Sequence, residues 1–195
     1  ADSGEEVPIA VVNGADPTVL LAAAMSFSDY VDELTVASSL HKKLHGTPLK
    51  VVFLPNGVMV PADAEYAMEA RITMERDDEG PYVDITGTVD DIRQEHVIEY
   101  DRVHHRVDPI FHALIPTGIE HRTLMGMPRA PTIKNSVSKV VECVDVHLTD
   151  GGCGWLSSGV QIIPKKEGDG MLAIEAAFRG QPSMKQVVVV DVDID

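Results

Sequence analysis

The chain has 195 residues, 44% hydrophobic but only 5% aromatic, with 16 Lys and Arg against 31 Asp and Glu for a formal charge of -15. That length and apolar content suit one large packed domain or two small ones and argue against disorder. The charge excludes nucleic acid and anionic membrane as expected partners, because both need a positive surface.

Residues 1–7 read as a polar lead, acidic and unlike a signal peptide. Pro8 to Asn13 (PIAVVN) reads as a buried strand. Gly14 turns the chain, and Asp16 before Pro17 is an N-cap followed by a first-turn proline, so a helix is expected to about Met25. Its apolar run, Val19 to Met25, is too short to span a membrane. Leu34, Ala37, Leu40 and Leu44 recur at helical spacing, with Lys42 and Lys43 in the last turn and Gly46 as C-terminal cap.

From Pro48 the pattern changes to strands. Residues 49–54 and 58–60 around Asn56-Gly57 predict a hairpin. Residues 64–74 suit a strand with Tyr66, Met68, Ala70 and Ile72 on one face. Residues 96–107 alternate again, and PIFHALI (109–115) reads as a further strand. Short strands with frequent turns point to a barrel-like sheet. Gly118, Pro128 and Pro131 interrupt any long helix, and Asn135 to Cys143 is the expected helical part. Strands are expected at Cys143–Leu148, Val160–Ile163 and Gln186–Val190, and a helix at Met171–Phe178. The chain stops soon after the last apolar strand, which reads as a fragment of something longer.

Four groups are candidates for chemistry. Glu79 and Asp84 flank a Gly-Pro turn that can aim both carboxylates at one place. Two close carboxylates separate their proton affinities, so one can act as an acid; as side chains of a solvated turn they need no function. Asp32 and Glu33 stand at a helix start, where capping explains them and metal ligation by Glu33 is the alternative. His96, His104, His105, His112 and His121 lack zinc spacing and read as strand-surface and turn residues. Cys143 and Cys153 lack a CxxC partner and read as free thiols of a reducing cytosol, so a cytoplasmic protein is expected. Trp155 and Met171 read as core.

Five motifs occur in order: PIAVVNGADP (8–17), Asp32-Glu33, VPADAEYAMEA (60–70), EGPYVDITG (79–87) and KQVVVVDVDID (185–195). Together they resemble the UbiD decarboxylases. The resemblance implies an α+β fold, a split β-barrel of the flavin-binding type with flanking α/β elements. Its implied divisions are an α/β lead-in over 1–47, the barrel over 48–181, and the first strand of a C-terminal domain over 182–195. It implies a non-oxidative decarboxylase of an aromatic or α,β-unsaturated carboxylic acid, using prenylated FMN, Mn2+ or Mg2+, and K+. Glu33 matches the metal-holding glutamate, through which the cofactor phosphate is gripped. Glu79 matches the first glutamate of a Glu-Arg-Glu/Asp network, and Asp84 the acid that protonates the substrate carbon. A flavin prenyltransferase would supply the cofactor, and the full-length form would be a homo-oligomer. Val83 stands where the family has glycine, as does Ala70. The family's N-terminal region, with its catalytic arginine and further metal ligands, is not in this sequence, so a chain with two of three catalytic groups is expected to be inactive alone. A flavin-binding or assembly module is the alternative reading.

Overall fold

A computed structural model describes residues 4–25, 27 and 30–192. The first three residues of the polar lead and the tail at 193–195 lie outside the described residues. The chain divides into two compact units: residues 1–84 with 88–114, and residues 85–87 with 115–195.

The first unit begins with β1 (Val7–Asn13) and α1 (Pro17–Ala23). Asp16 caps α1 as expected, its side chain accepting the Thr18 N–H at 2.9 Å. Next comes α2 (Glu33–His45), capped by Asp32 through Thr35 N–H and closed by Gly46 in the left-handed region at φ 79. The two helices bury Ala22 and Ala37. β2 (Val51–Phe53) and β3 (Met59–Pro61) form the expected hairpin around Gly57. β4 (Tyr66–Glu79) and β5 (Arg93–His105) are longer than expected and pair antiparallel, with β1 on the other side of β4.

β4 is therefore central, and its burial is not one-sided. Ala67, Glu69 and Thr73 are buried on one alternating set and Ala70 on the other. Irregularities at Glu69/Ala70 and Ile72/Arg76 reset the pairing with β5. The small core here is Leu54, Val60 and Ala67, with Ala10 and Val12 against it.

The strand expected at 109–115 does not form. Asn13 holds this segment instead: its amide donates to the His112 carbonyl at 2.7 Å and accepts the His112 N–H at 2.9 Å, while Glu65 accepts the Ile110 N–H. Two side chains thus supply backbone partners that a strand ladder would give.

The second unit contains α3 (Ile119–Gly126), α4 (Arg129–Val137), β6 (Glu142–Leu148), β7 (Ser157–Ile163), α5 (Asp169–Gly180) and β8 (Gln186–Val190). β6 and β7 run antiparallel, and α5 connects β7 to the parallel β8. The core is Ile133, Val137, Val146, Val160, Ile162 and the α5 alanines 173, 176 and 177. The helix expected at Asn135–Cys143 starts instead at Arg129 and ends at Val137. Pro131 is its third residue, where the N–H has no intrahelical partner to lose. Met171, expected in the core, is 61% exposed on α5.

The fold is mixed α/β, but the sheets among the described residues are open: two of three strands and one of two. The closed, barrel-like sheet expected from the run of short strands is not seen. One of those strands is absent, and β2–β3 pairs only with itself.

Candidate active site

Glu79 is the last residue of β4, across from Arg93 of β5. Gly80 follows with φ 92, and the Gly80–Pro81 peptide is cis. The chain then closes a small antiparallel turn. Val83 bridges Val89, the Asp84 N–H donates to the Thr88 carbonyl at 2.9 Å, and the Asp90 N–H donates to the Tyr82 carbonyl at 2.8 Å. Arg93 is engaged by Asp90, and Asp78 by Gln94. Glu79 and Asp84 thus share one hairpin extension. Both are exposed, and neither carboxylate has a hydrogen bond or ion pair among the described residues.

Glu33 stands apart as the first residue of α2, exposed and likewise without a partner among the described residues. An unengaged carboxylate is a hard oxygen donor of the kind Mn2+ and Mg2+ take. One carboxylate does not hold such an ion, so the residue fits as a single contributor to a larger ligand set.

The glutamate inside VPADAEYAMEA has a structural task. Glu69 is buried, its carboxylate accepting the Asn56 N–H at 3.0 Å and His104 Nε2–H at 2.6 Å. Asn56 in turn donates to the Ile9 carbonyl at 2.9 Å. The β2–β3 turn is thereby tied to β1, β4 and β5, which explains His104 as a hydrogen-bonded strand residue. The adjacent His105 points elsewhere, with its ring beside Tyr66.

In the second unit, α3, α4 and β6 surround a cavity of about 550 Å3 lined by Arg122, Met127, Val146, His147 and Asp150 among others. None of the expected site residues lines it. Trp155 carries the Arg129 guanidinium 4.8 Å over its ring, a cation–π contact. Both cysteines are free thiols. Burial pushes the Cys143 thiol above its usual range.

The sequence expectations omit one cluster. Asp16, His41 and His45 each place a ligand atom within 4.8 Å of the others. The signal for it was the four-residue spacing of two histidines on a helix.

Residues 1–119 match the family model for the UbiD 3-octaprenyl-4-hydroxybenzoate carboxy-lyase Rift-related domain, and residues 122–195 match that for the C-terminal domain of the same carboxy-lyase. The chain belongs to the UbiD family. Among its relatives, it is similar to the anhydromevalonate phosphate decarboxylase of Methanocaldococcus jannaschii, 48% identical over 188 residues, covering 96% of this chain and 44% of that protein. The enzyme of the same name from Methanosarcina mazei is 45% identical over 196 residues, covering 100% and 45%. Its fold is similar to that of the UbiD-class enzyme HmfF from Pelotomaculum thermopropionicum, solved in complex with FMN, at a TM-score of 0.93 and 35% identity over the whole of this chain and 43% of that one. An evolved dimeric form of HmfF, solved with prFMN, also gives 0.93. The chain spans less than half the length of these relatives.

Proposed function

We propose that this chain is part of a prenylated-FMN-dependent decarboxylase whose substrate is a phosphorylated α,β-unsaturated acid of the anhydromevalonate phosphate kind. The observation that carries the reading is the 48% identity to a decarboxylase of that name across nearly the whole chain. The split flavin-binding barrel belongs to the same proposal, with β1, β4 and β5 among its strands.

The cofactor, when bound, supplies the electron sink that decarboxylation requires and protein side chains lack. Glu33 would contribute one oxygen ligand to the Mn2+ or Mg2+ beside the cofactor phosphate. Asp84 delivers a proton to the substrate carbon that loses CO2. Glu79 stands five residues earlier on the same hairpin extension and presents a second carboxylate to the substrate and its proton donor. The exposure of both carboxylates fits groups that meet a substrate and other protein segments rather than a core. A flavin prenyltransferase as cofactor source, K+ and homo-oligomeric assembly are part of the proposal.

The test uses the whole protein co-expressed with a flavin prenyltransferase. Ultraviolet-visible spectra and CO2 release are measured for the phosphorylated acid, cinnamate-like acids and hydroxybenzoates. The expected result is a bound modified flavin, turnover of the phosphorylated acid, and at least a ~10²-fold lower rate for Asp84→Asn with flavin retained. Flavin binding without CO2 release from any acid would favour the binding-module reading. Turnover of hydroxybenzoates alone would overturn the substrate class.

A further inference from the structure

We propose that Asp16, His41 and His45 form a second metal site, suited to Zn2+ or a similar borderline dication and separate from the ion assigned to Glu33. His41 and His45 lie one turn apart on α2, with ring centroids 4.5 Å from each other. Asp16 comes from a different element, the N-cap of α1. One ligand atom from each residue lies within 4.8 Å of the other two.

The surrounding hydrogen bonds favour ligation over an ordinary ion pair. His41 Nδ1 lies 2.7 Å from the Thr47 carbonyl, which can only accept, so Nδ1 carries a proton and Nε2 is the ring nitrogen left for a metal. Thr47 follows the left-handed Gly46 that ends α2, so the cap itself brings the carbonyl back over His41. This is the backbone bond that commonly sets the tautomer of a metal-bound histidine. Asp16 uses Oδ1 for the Thr18 N–H and hydroxyl, at 2.9 and 2.6 Å. Its Oδ2 is turned to His45 Nε2 at 3.3 Å. Two ligands each ~2.05 Å from a tetrahedral ion stand about 3.3 Å apart, so this edge is already formed. The third ligand atom lies within 4.8 Å of the other two, so reaching the same spacing takes at most about 1.5 Å of closure.

The donor set also selects the ion. Two imidazoles and one carboxylate suit Zn2+, Co2+, Ni2+ or Cu2+, whereas Mn2+ and Mg2+ prefer oxygen. Three protein ligands leave one tetrahedral position for water. The site joins the start of α1 to the end of α2, so an ion there would clip the two helices together.

The experiment uses the untagged chain with Cys143 and Cys153 changed to serine, which removes thiolate ligands. Zn2+ and Co2+ binding are followed by calorimetry and by the visible Co2+ spectrum. One ion per chain is expected. Its affinity should fall by ~10-fold or more in His41→Gln, His45→Gln and Asp16→Asn, and stay unchanged in Glu33→Gln. Zn2+ should raise the melting temperature of the parent and of Glu33→Gln only. Bound Zn2+ should also protect His41 and His45 of the unsubstituted chain from diethyl pyrocarbonate, a readout that needs no ligand variant. No binding, binding indifferent to the three substitutions, or unprotected histidines would overturn the site. Since Glu33→Gln removes the other ion's ligand, its outcome separates this site from the proposed decarboxylase metal.

Discussion

Asp169, the first residue of α5, is 4% exposed, yet its carboxylate stays ionised at neutral pH. The Lys165 backbone N–H, donated at 2.8 Å, is the main cause holding its pKa below the usual 3.8; burial opposes this and the Lys166 N–H at 3.1 Å adds to it. A pKa lowered on folding contributes stability that is present above the unfolded-state value and lost as pH falls through the folded-state value. Asp169→Asn should therefore melt lower than the parent at neutral pH, and the gap should close below about pH 4. Melting curves across the acid range measure it; a gap constant with pH would show the carboxylate charge to be irrelevant. Asn13 makes a second residue-scale prediction. Both its amide atoms serve the His112 backbone across 99 positions of sequence. Asn13→Ala should cost about 1–3 kcal/mol in denaturant unfolding and raise hydrogen exchange at the His112 amide.

At the scale of elements, Gly126 is the closest constraint in the second unit. A Cβ there would stand 2.0 Å from the Gly154 carbonyl oxygen, so α3 meets the loop before Trp155 backbone to backbone. In an exposed helix Gly→Ala stabilises by about 1 kcal/mol. Here overpacking reverses the sign, and Gly126→Ala should destabilise by ~2 kcal/mol or more, read from its denaturation midpoint. Elements signalled by local chemistry were legible in the sequence. The Asp16-Pro17 start of α1, the Gly46 end of α2, the Asn56-Gly57 hairpin and the apolar run Gln186–Val190 all lie where they were expected. Elements whose form depends on distant partners were not. The segment at 109–115 has strand composition but finds its backbone partners in Asn13 and Glu65. The start of α4 was hidden because Pro131 breaks a helix interior and yet is harmless in a first turn.

At the scale of the whole molecule, the first unit leaves Tyr100, Val103, Val107, Ile110 and Phe111 exposed. Apolar residues grouped in one stretch of chain are commonly covered by another surface. The 195-residue chain should therefore enhance the fluorescence of 8-anilinonaphthalene-1-sulfonate while still melting cooperatively. A dye-silent chain would mean that these residues shield one another. Among the described residues, no helix is long and apolar enough to cross a membrane.

By itself the sequence determined the family, through five ordered motifs, and most local elements, because caps, turns and periodicity act over a few residues. It also named Glu33, Glu79 and Asp84 as the residues to test. Only the tertiary structure decided that the sheets are open, that Glu69 is a buried tie, and that 109–115 is held by side chains. It alone brought Asp16 to His41 and His45, since packing between two helices is what converts their separate sequence positions into one cluster. Those outcomes depend on contacts between residues far apart in the chain, which no local pattern encodes.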